Sequence, residues 1–209
     1  MNGRENIPLL YQDSFLLFSE AVMESLILNI KSEIGKLRAV MLHRPGREIE
    51  NLVPEYLGKL LFDDIPYLKI AQQEHDAFAD LLRKRGARVL YIEDMAADVL
   101  RDERLKFDFV DRFLRESGID DERLFAILKD YLLQMEPRRM VDAMIAGIRK
   151  QDVPEAKFVG AQSGDDDYQF YVDPMPNLYF TRDIGAVIGE GISISRMKTE
   201  ARKRETLFL

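Results

Sequence analysis

The chain has 209 residues, 46% hydrophobic and 32% charged, with a formal net charge of -7, a composition that fits one or two ordinary globular domains. It excludes a surface built to neutralise nucleic-acid phosphates, which needs clustered excess Lys and Arg; a small cationic ligand suits the field better. With no cysteine, disulfides, thiolate metal sites and a thiol nucleophile of the chain's own are excluded, and cytoplasmic residence is the default expectation.

The first 31 residues read as an extension preceding the fold. Phe15-Leu16-Leu17-Phe18 is a short apolar run, but Glu5, Asp13, Glu20 and Glu24 interrupt the segment, so neither a signal peptide nor a membrane span is expected. Leu37 to Leu42 is a strand candidate closed by the turn Arg44-Pro45-Gly46, and a loop rich in Pro and acidic residues is predicted from there to Pro66. A helix follows in which Ile70, Ala71, Phe78, Leu81 and Leu82 share one side; it stops at Gly86, and Val89-Leu90-Tyr91-Ile92 is a second buried strand. Strand, helix, strand at this spacing is one α/β unit, here residues 32–94.

Residues 95–160 read as an all-helical insertion, helical to about Gln151, with apolar stripes Phe109, Val110, Phe113, Leu114 and Leu124, Ile127, Leu128, Tyr131, Leu132 as core. Gly118 followed by Asp120-Asp121 is a stop and restart, and Glu136-Pro137 opens a further helix with Pro in its first turn. The run Asp165-Asp166-Asp167 is expected to be a solvated loop, because a calcium loop needs alternating oxygen ligands and a distant bidentate Glu. Strand-type sequence resumes over 161–209: Phe170-Tyr171-Val172, then Ala186-Val187-Ile188 and Ile192-Ser193-Ile194 as a hairpin around a three-residue Gly189-Glu190-Gly191 connection.

The most unusual stretch is Pro174-Met175-Pro176-Asn177-Leu178-Tyr179-Phe180-Thr181-Arg182-Asp183. Two prolines fix the entry, and an apolar strand is predicted to deliver an arginine and a carboxylate at its end. It resembles the Pro-Asn-Leu-Tyr-Phe-Thr-Arg-Asp signature of arginine deiminases, a family of guanidine-modifying enzymes. Glu33 to Arg38, His43 to Gly46, Leu60 to Asp64, Glu74 to Phe78, Met197 to Arg202 and Arg204-Glu205 resemble that family in the same order, so that the resemblance covers about Ser32 to Leu209. Ile184-Gly185 departs from it, since Pro-Phe is common there.

The resemblance implies an α/β fold, a partial α/β propeller of pentein-like ββαβ modules with an inserted helical domain, of which 32–94 and 161–209 are a first module and the start of a second. It implies hydrolysis of L-arginine to citrulline and ammonia through a covalent Cys intermediate. In that scheme Asp183 is a catalytic carboxylate clamping the guanidinium, Asn177 and Arg202 hold the α-carboxylate end, Phe180 packs along the guanidinium plane, and the backbone of Leu61 meets the amino end. The thiolate, the proton-handling His, a second clamp and a Glu belong to a missing carboxy-terminal half, so the isolated chain is expected to be inactive. No metal, cofactor, nucleic acid or membrane is implied, and a homo-oligomer is left open for the complete protein. His43 and His75 read as structural histidines. The alternative is a non-catalytic module that binds arginine or a protein partner.

One geometric condition comes with these roles. Asn177 and Asp183 are six residues apart, which in a straight strand is roughly 20 Å, farther than one arginine reaches. The segment must therefore bend.

Overall fold

The computed structural model describes residues 28–157 and 168–209. The apolar run at Phe15 and the Asp165-Asp166-Asp167 stretch lie outside the described residues. Within them, β1 (Ala39–Leu42) pairs in parallel with β2 (Arg88–Tyr91), Ala39 opposite Arg88 and Leu42 opposite Tyr91. A parallel pair needs a crossover. It contains α1 (Arg47–Glu50), a 3₁₀ turn at Pro54–Tyr56, α2 (Leu57–Leu60) and α3 (Leu68–Lys84). The predicted loop from Gly46 to Pro66 is thus partly helical: Pro54 stands at the first position of its turn, where its missing N–H costs nothing.

The long helix α3 corrects the expected apolar side. Ile70, Phe78 and Leu81 are exposed, while His75 and Ala79 are the buried positions. The helix meets β2 and α1 along that narrow side, Leu68 packs on the Ile49, Leu52 and Leu60 cluster, and Ala71 and Leu82 are half-buried.

Four helices follow: α4 (Ile92–Val99), α5 (Glu103–Glu116), α6 (Glu122–Leu133) and α7 (Pro137–Ala146). The starts of α5, α6 and α7 are set by carboxylates accepting from the first free backbone N–H groups: Asp102 from Arg104 and Leu105, Asp121 from Arg123 and Leu124, and Glu136 from Arg138 and Arg139, with Pro137 next. The stop at Gly118 is made by its positive φ of 74°. Their facing stripes make the main core, with Val110, Phe113, Leu114, Leu128, Leu132, Met140, Val141 and Met144 fully buried. At roughly 1.5–3 kcal/mol for each large apolar side chain withdrawn from water, this is the largest favourable contribution in the chain. Helix ends at Ala146 rather than Gln151, because Gly147 turns the chain with φ 82° into β3 (Ile148–Arg149).

Antiparallel to β3 runs β4 (Phe170–Val172). The chain then makes a 3₁₀ turn at Pro176–Tyr179 and the single-turn α8 (Thr181–Ile184), followed by the hairpin β5 (Gly185–Ile188) and β6 (Gly191–Ile194). Its connection is two residues, not three. Gly191 pairs with Ile188, and Gly189 takes the positive φ of 60° that such a tight reversal needs. Ile30 bridges to Gly189 through two backbone hydrogen bonds of 2.8 and 2.9 Å, so the end of the expected extension joins the hairpin turn. A short α9 (Glu200–Lys203) runs into a last 3₁₀ stretch, Arg204–Phe208, and Phe208 enters the main core together with Met175, Leu178 and Ile184.

The described residues are therefore mixed α/β, in three separate two-stranded sheets that close no ring. No helix among them is long and apolar enough to cross a membrane.

Candidate functional site

The signature segment is not a strand. Asn177 lies in the Pro176–Tyr179 turn and Asp183 in α8, joined by Phe180 at φ -88° and ψ 66°. Coiling at roughly 1.5–2 Å per residue brings ends six residues apart to about 9–12 Å instead of roughly 20 Å. The bend that the assigned roles require is present. Backbone bonds from Phe180 to the Asn177 carbonyl (3.0 Å) and from Asp183 to the Phe180 carbonyl (2.9 Å) hold it. The hydroxyl of Thr181 donates to the Met41 carbonyl of β1 at 3.0 Å, fixing the segment on the first sheet.

Asn177 is buried and donates from Nδ2 to the Leu60 carbonyl at 2.6 Å. Leu60 ends α2, and the next residue, Leu61, adopts φ 60° and ψ 38°. Phe62 N–H returns to the Leu57 carbonyl and Leu61 N–H to that of Gly58; this paired closure puts at the left-handed position a residue that is usually glycine. Leu61 is the one non-glycine with positive φ among the described residues, and its side chain is half exposed. A leucine in that conformation costs about 1–2 kcal/mol.

Arg202, in α9, closes the other side. Its Nη1 donates to Asp183 Oδ2 at 2.8 Å and its Nη2 to the Asn177 carbonyl at 3.3 Å. Its Nε donates to both oxygens of Glu205, at 3.0 and 3.1 Å. Burial disfavours the Arg202 charge, but the bonds to Glu205 and Asp183 outweigh it and keep the guanidinium ionised. Burial pushes the Glu205 carboxyl up, against the opposing pull of Arg202.

Of the five residues singled out in the sequence, Asn177, Asp183 and Arg202 are thus directly bonded into one cluster, and Leu61 adjoins it through Leu60. Phe180 lies on the same bend, half exposed, with its ring edge-on to Tyr179 at 5.5 Å. Arg182 points elsewhere and pairs with Glu33. One neighbour escaped the sequence reading, and another, His75, reads there as a structural histidine. Glu205 is fully buried beneath Arg202, and the signal for it was a carboxylate three residues on in a helical turn. His75 lies under Tyr179, with ring centroids 6.0 Å apart, and neither of its nitrogens has a hydrogen-bond partner among the described residues. Burial lowers its pKa.

A half-exposed carboxylate paired with one planar guanidinium can exchange it for another, since a carboxylate accepts two parallel N–H bonds from such a group. A second polar centre lies under the first sheet. His43 is buried between two buried glutamates, with Nδ1 3.0 Å from Glu93 and Nε2 3.1 Å from Glu48.

Chemically this is a mixed α/β protein whose signature bend gathers a carboxylate and an arginine at one corner. The chain belongs to the arginine deiminase family, whose model matches residues 58–209. The arginine deiminase of Limosilactobacillus reuteri is 50% identical over 182 residues, 87% of this chain and 44% of that protein. That of Bacillus cytotoxicus is 48% identical over 183 residues, 87% of this chain and 45% of that protein, and a Bacillus cereus relative gives the same figures. The chain therefore spans less than half the length of these relatives.

Proposed function

We propose that this chain supplies the guanidinium-holding part of a site that hydrolyses L-arginine to L-citrulline and ammonia. The observation that carries the reading is the 2.8 Å contact between Asp183 and the Arg202 guanidinium beside Asn177. It fits a carboxylate whose work is to hold a planar cation with one face open. Arginine remains a cation with pKa above about 12, so its central carbon becomes reactive only when held and polarised in place.

In this scheme Asp183 fixes the guanidinium, Phe180 lies along its plane, Asn177 and Arg202 hold the α-carboxylate end, and the Leu61 backbone meets the amino end. A thiolate adds to the guanidinium carbon, ammonia leaves, and water releases citrulline from the resulting thiouronium. This chain has no cysteine, so the thiolate comes from polypeptide outside these 209 residues; the resemblance to the family puts the His that moves protons there too, and the chain alone is inactive. The complete fold is a propeller of ββαβ modules, in which 32–94 and 161–209 form a first module and the start of a second, with 95–160 inserted between them. Cytoplasmic residence suits this chemistry.

A citrulline assay tests the reading. The chain alone should form none, and adding a polypeptide equivalent to the remainder of the Limosilactobacillus reuteri relative should restore activity that Asp183→Asn removes. Citrulline formed by the chain alone would overturn it. The exposed apolar residues of α3 and of the hairpin, Ile70, Phe78, Leu81, Ile188, Ile192 and Ile194, favour as second reading a non-catalytic module that binds a protein partner. Binding of such a partner with no gain of citrulline would select it.

A further inference from the structure

Arg202 touches two carboxylates of different kinds. Glu205 has no exposed surface and sits three residues on, in contact with Nε and, at 2.8 Å, with Nη2. Asp183 comes from a segment 19 residues earlier, and its side chain is 48% exposed against 13% for Arg202. The first contact is enclosed and local. The second is open to solvent and exchangeable. Asp183 is thus already occupied, in the free chain, by a side chain carrying the same planar cation that a guanidine ligand would bring.

We propose that Arg202 sets ligand specificity by occupation: held at Nε and Nη2 by Glu205, it fills Asp183 until a guanidinium arrives together with a carboxylate able to take over its freed donor. The inference rests on the reading of Asp183 as the guanidinium clamp and of Arg202 as the holder of the α-carboxylate, and adds to it a reason for discrimination. An arginine molecule exchanges one ion pair for two, since its guanidinium takes Asp183 while its α-carboxylate takes Arg202 Nη1. A ligand with a guanidinium alone takes Asp183 and leaves that N–H without its anionic acceptor. Glu205 is the positioning residue, because its contacts with Nε and Nη2 hold the planar guanidinium in place while Nη1 changes acceptor.

The two ligands that separate these cases are L-arginine and agmatine, which is arginine without its carboxylate. Both are titrated into the 209-residue chain by ligand-observed NMR. The chain should prefer arginine by about tenfold or more, and Arg202→Gln should bind agmatine at least about threefold more tightly than the parent while losing most of the preference, as expected when an internal competitor is removed. Glu205→Gln, shown to fold by a cooperative melt, should weaken the preference without abolishing arginine binding. Agmatine affinity unchanged or lowered in Arg202→Gln overturns the proposal while leaving Asp183 as the clamp. Equal binding of both ligands by Asp183→Asn and by the parent, or no arginine binding by the parent, overturns the clamp reading and this inference with it.

Discussion

The Asn177 amide and the Leu60 carbonyl, 117 residues apart in the chain, are joined by a 2.6 Å hydrogen bond in a buried position. It ties the signature segment to the end of α2 and so sets where Leu61 stands. Replacing Asn177 with Ala leaves a buried carbonyl without a donor, at a cost of about 1–3 kcal/mol. The melting temperature should fall by roughly 3–10 °C for a chain of this size. The Arg202 contact to the Asn177 main chain should survive, so thermal melts and arginine titration on the same variant separate the loss of stability from the loss of binding. An unchanged melt would mean that water or another donor already serves Leu60.

Leu61 gives a prediction of opposite sign. Its left-handed backbone is strained for leucine and free of strain for glycine, although glycine also gains entropy in the unfolded chain. Leu61→Gly should therefore raise stability by up to about 1 kcal/mol. If the backbone here meets the ligand's amino group, the same change should weaken arginine binding by loosening the loop. Denaturant melts paired with titration would show both effects, and destabilisation by glycine would refute the strain argument.

The His43 centre fixes the pH response. Burial alone would lower the imidazole pKa, but the hydrogen bonds that the imidazole donates to Glu48 and Glu93 prevail and raise it to about 9 from an ordinary 6.5. Because the folded value lies above the unfolded one, this contribution is complete below about 6.5 and disappears as pH rises through about 9. Glu93 runs the other way. Its burial works against ionisation, but the bond to His43 leaves its pKa below the ordinary 4.5, so its contribution is present above that value and is lost as pH falls through the lower folded one. Stability from this cluster should thus be fullest between about 4.5 and 6.5. Removing His43 strands two buried carboxylates, which costs about 3–5 kcal/mol. The difference in melting temperature between the parent and His43→Gln should shrink steadily from pH 6.5 to above 9, and a difference independent of pH would exclude the charged imidazole.

What could be read in advance divides along the range of the forces. The starts of α6 and α7 depend on local chemistry, Asp121 and Glu136-Pro137 accepting from N–H groups two and three residues on, and the sequence displays it. The hairpin is legible for the same reason. The signature was misread because Leu178 to Thr181 has strand propensity, whereas Pro176 begins a helical turn and distant acceptors, the Leu60 and Met41 carbonyls, hold it coiled. The α3 stripe gives a helix but not its partner, so periodicity named an apolar side of which Ile70, Phe78 and Leu81 stay exposed. The site residues came from resemblance, and Glu205 was missed as a site residue because its role depends on a buried contact to Arg202 that no spacing rule makes unique. The clamp around His43 was equally hidden, since Glu93 lies 50 residues away.

Two glycines test how tightly the approach to the signature is packed. Gly118 and Gly147 both have positive φ, 74° and 82°, so alanine at either is strained, and more so at Gly147, whose ψ of 155° lies in a region almost confined to glycine at a cost of about 1–3 kcal/mol. Their surroundings differ. A Cβ on Gly118 would meet nothing within 4 Å, whereas one on Gly147 would fall 2.7 Å from Pro174 N and 2.8 Å from Val172 O. Those are backbone atoms and cannot swing aside, so relief requires moving the segment 172–174. Gly147→Ala should therefore cost at least about 2 kcal/mol more than Gly118→Ala. Met175 N–H is bonded to the Ile145 carbonyl just before the signature turn, so the displacement should propagate to Asn177 and weaken arginine binding. Gly118→Ala should leave that affinity intact. Equal losses of stability in the two variants would show that the segment yields and that the entry to the site is not rigidly held.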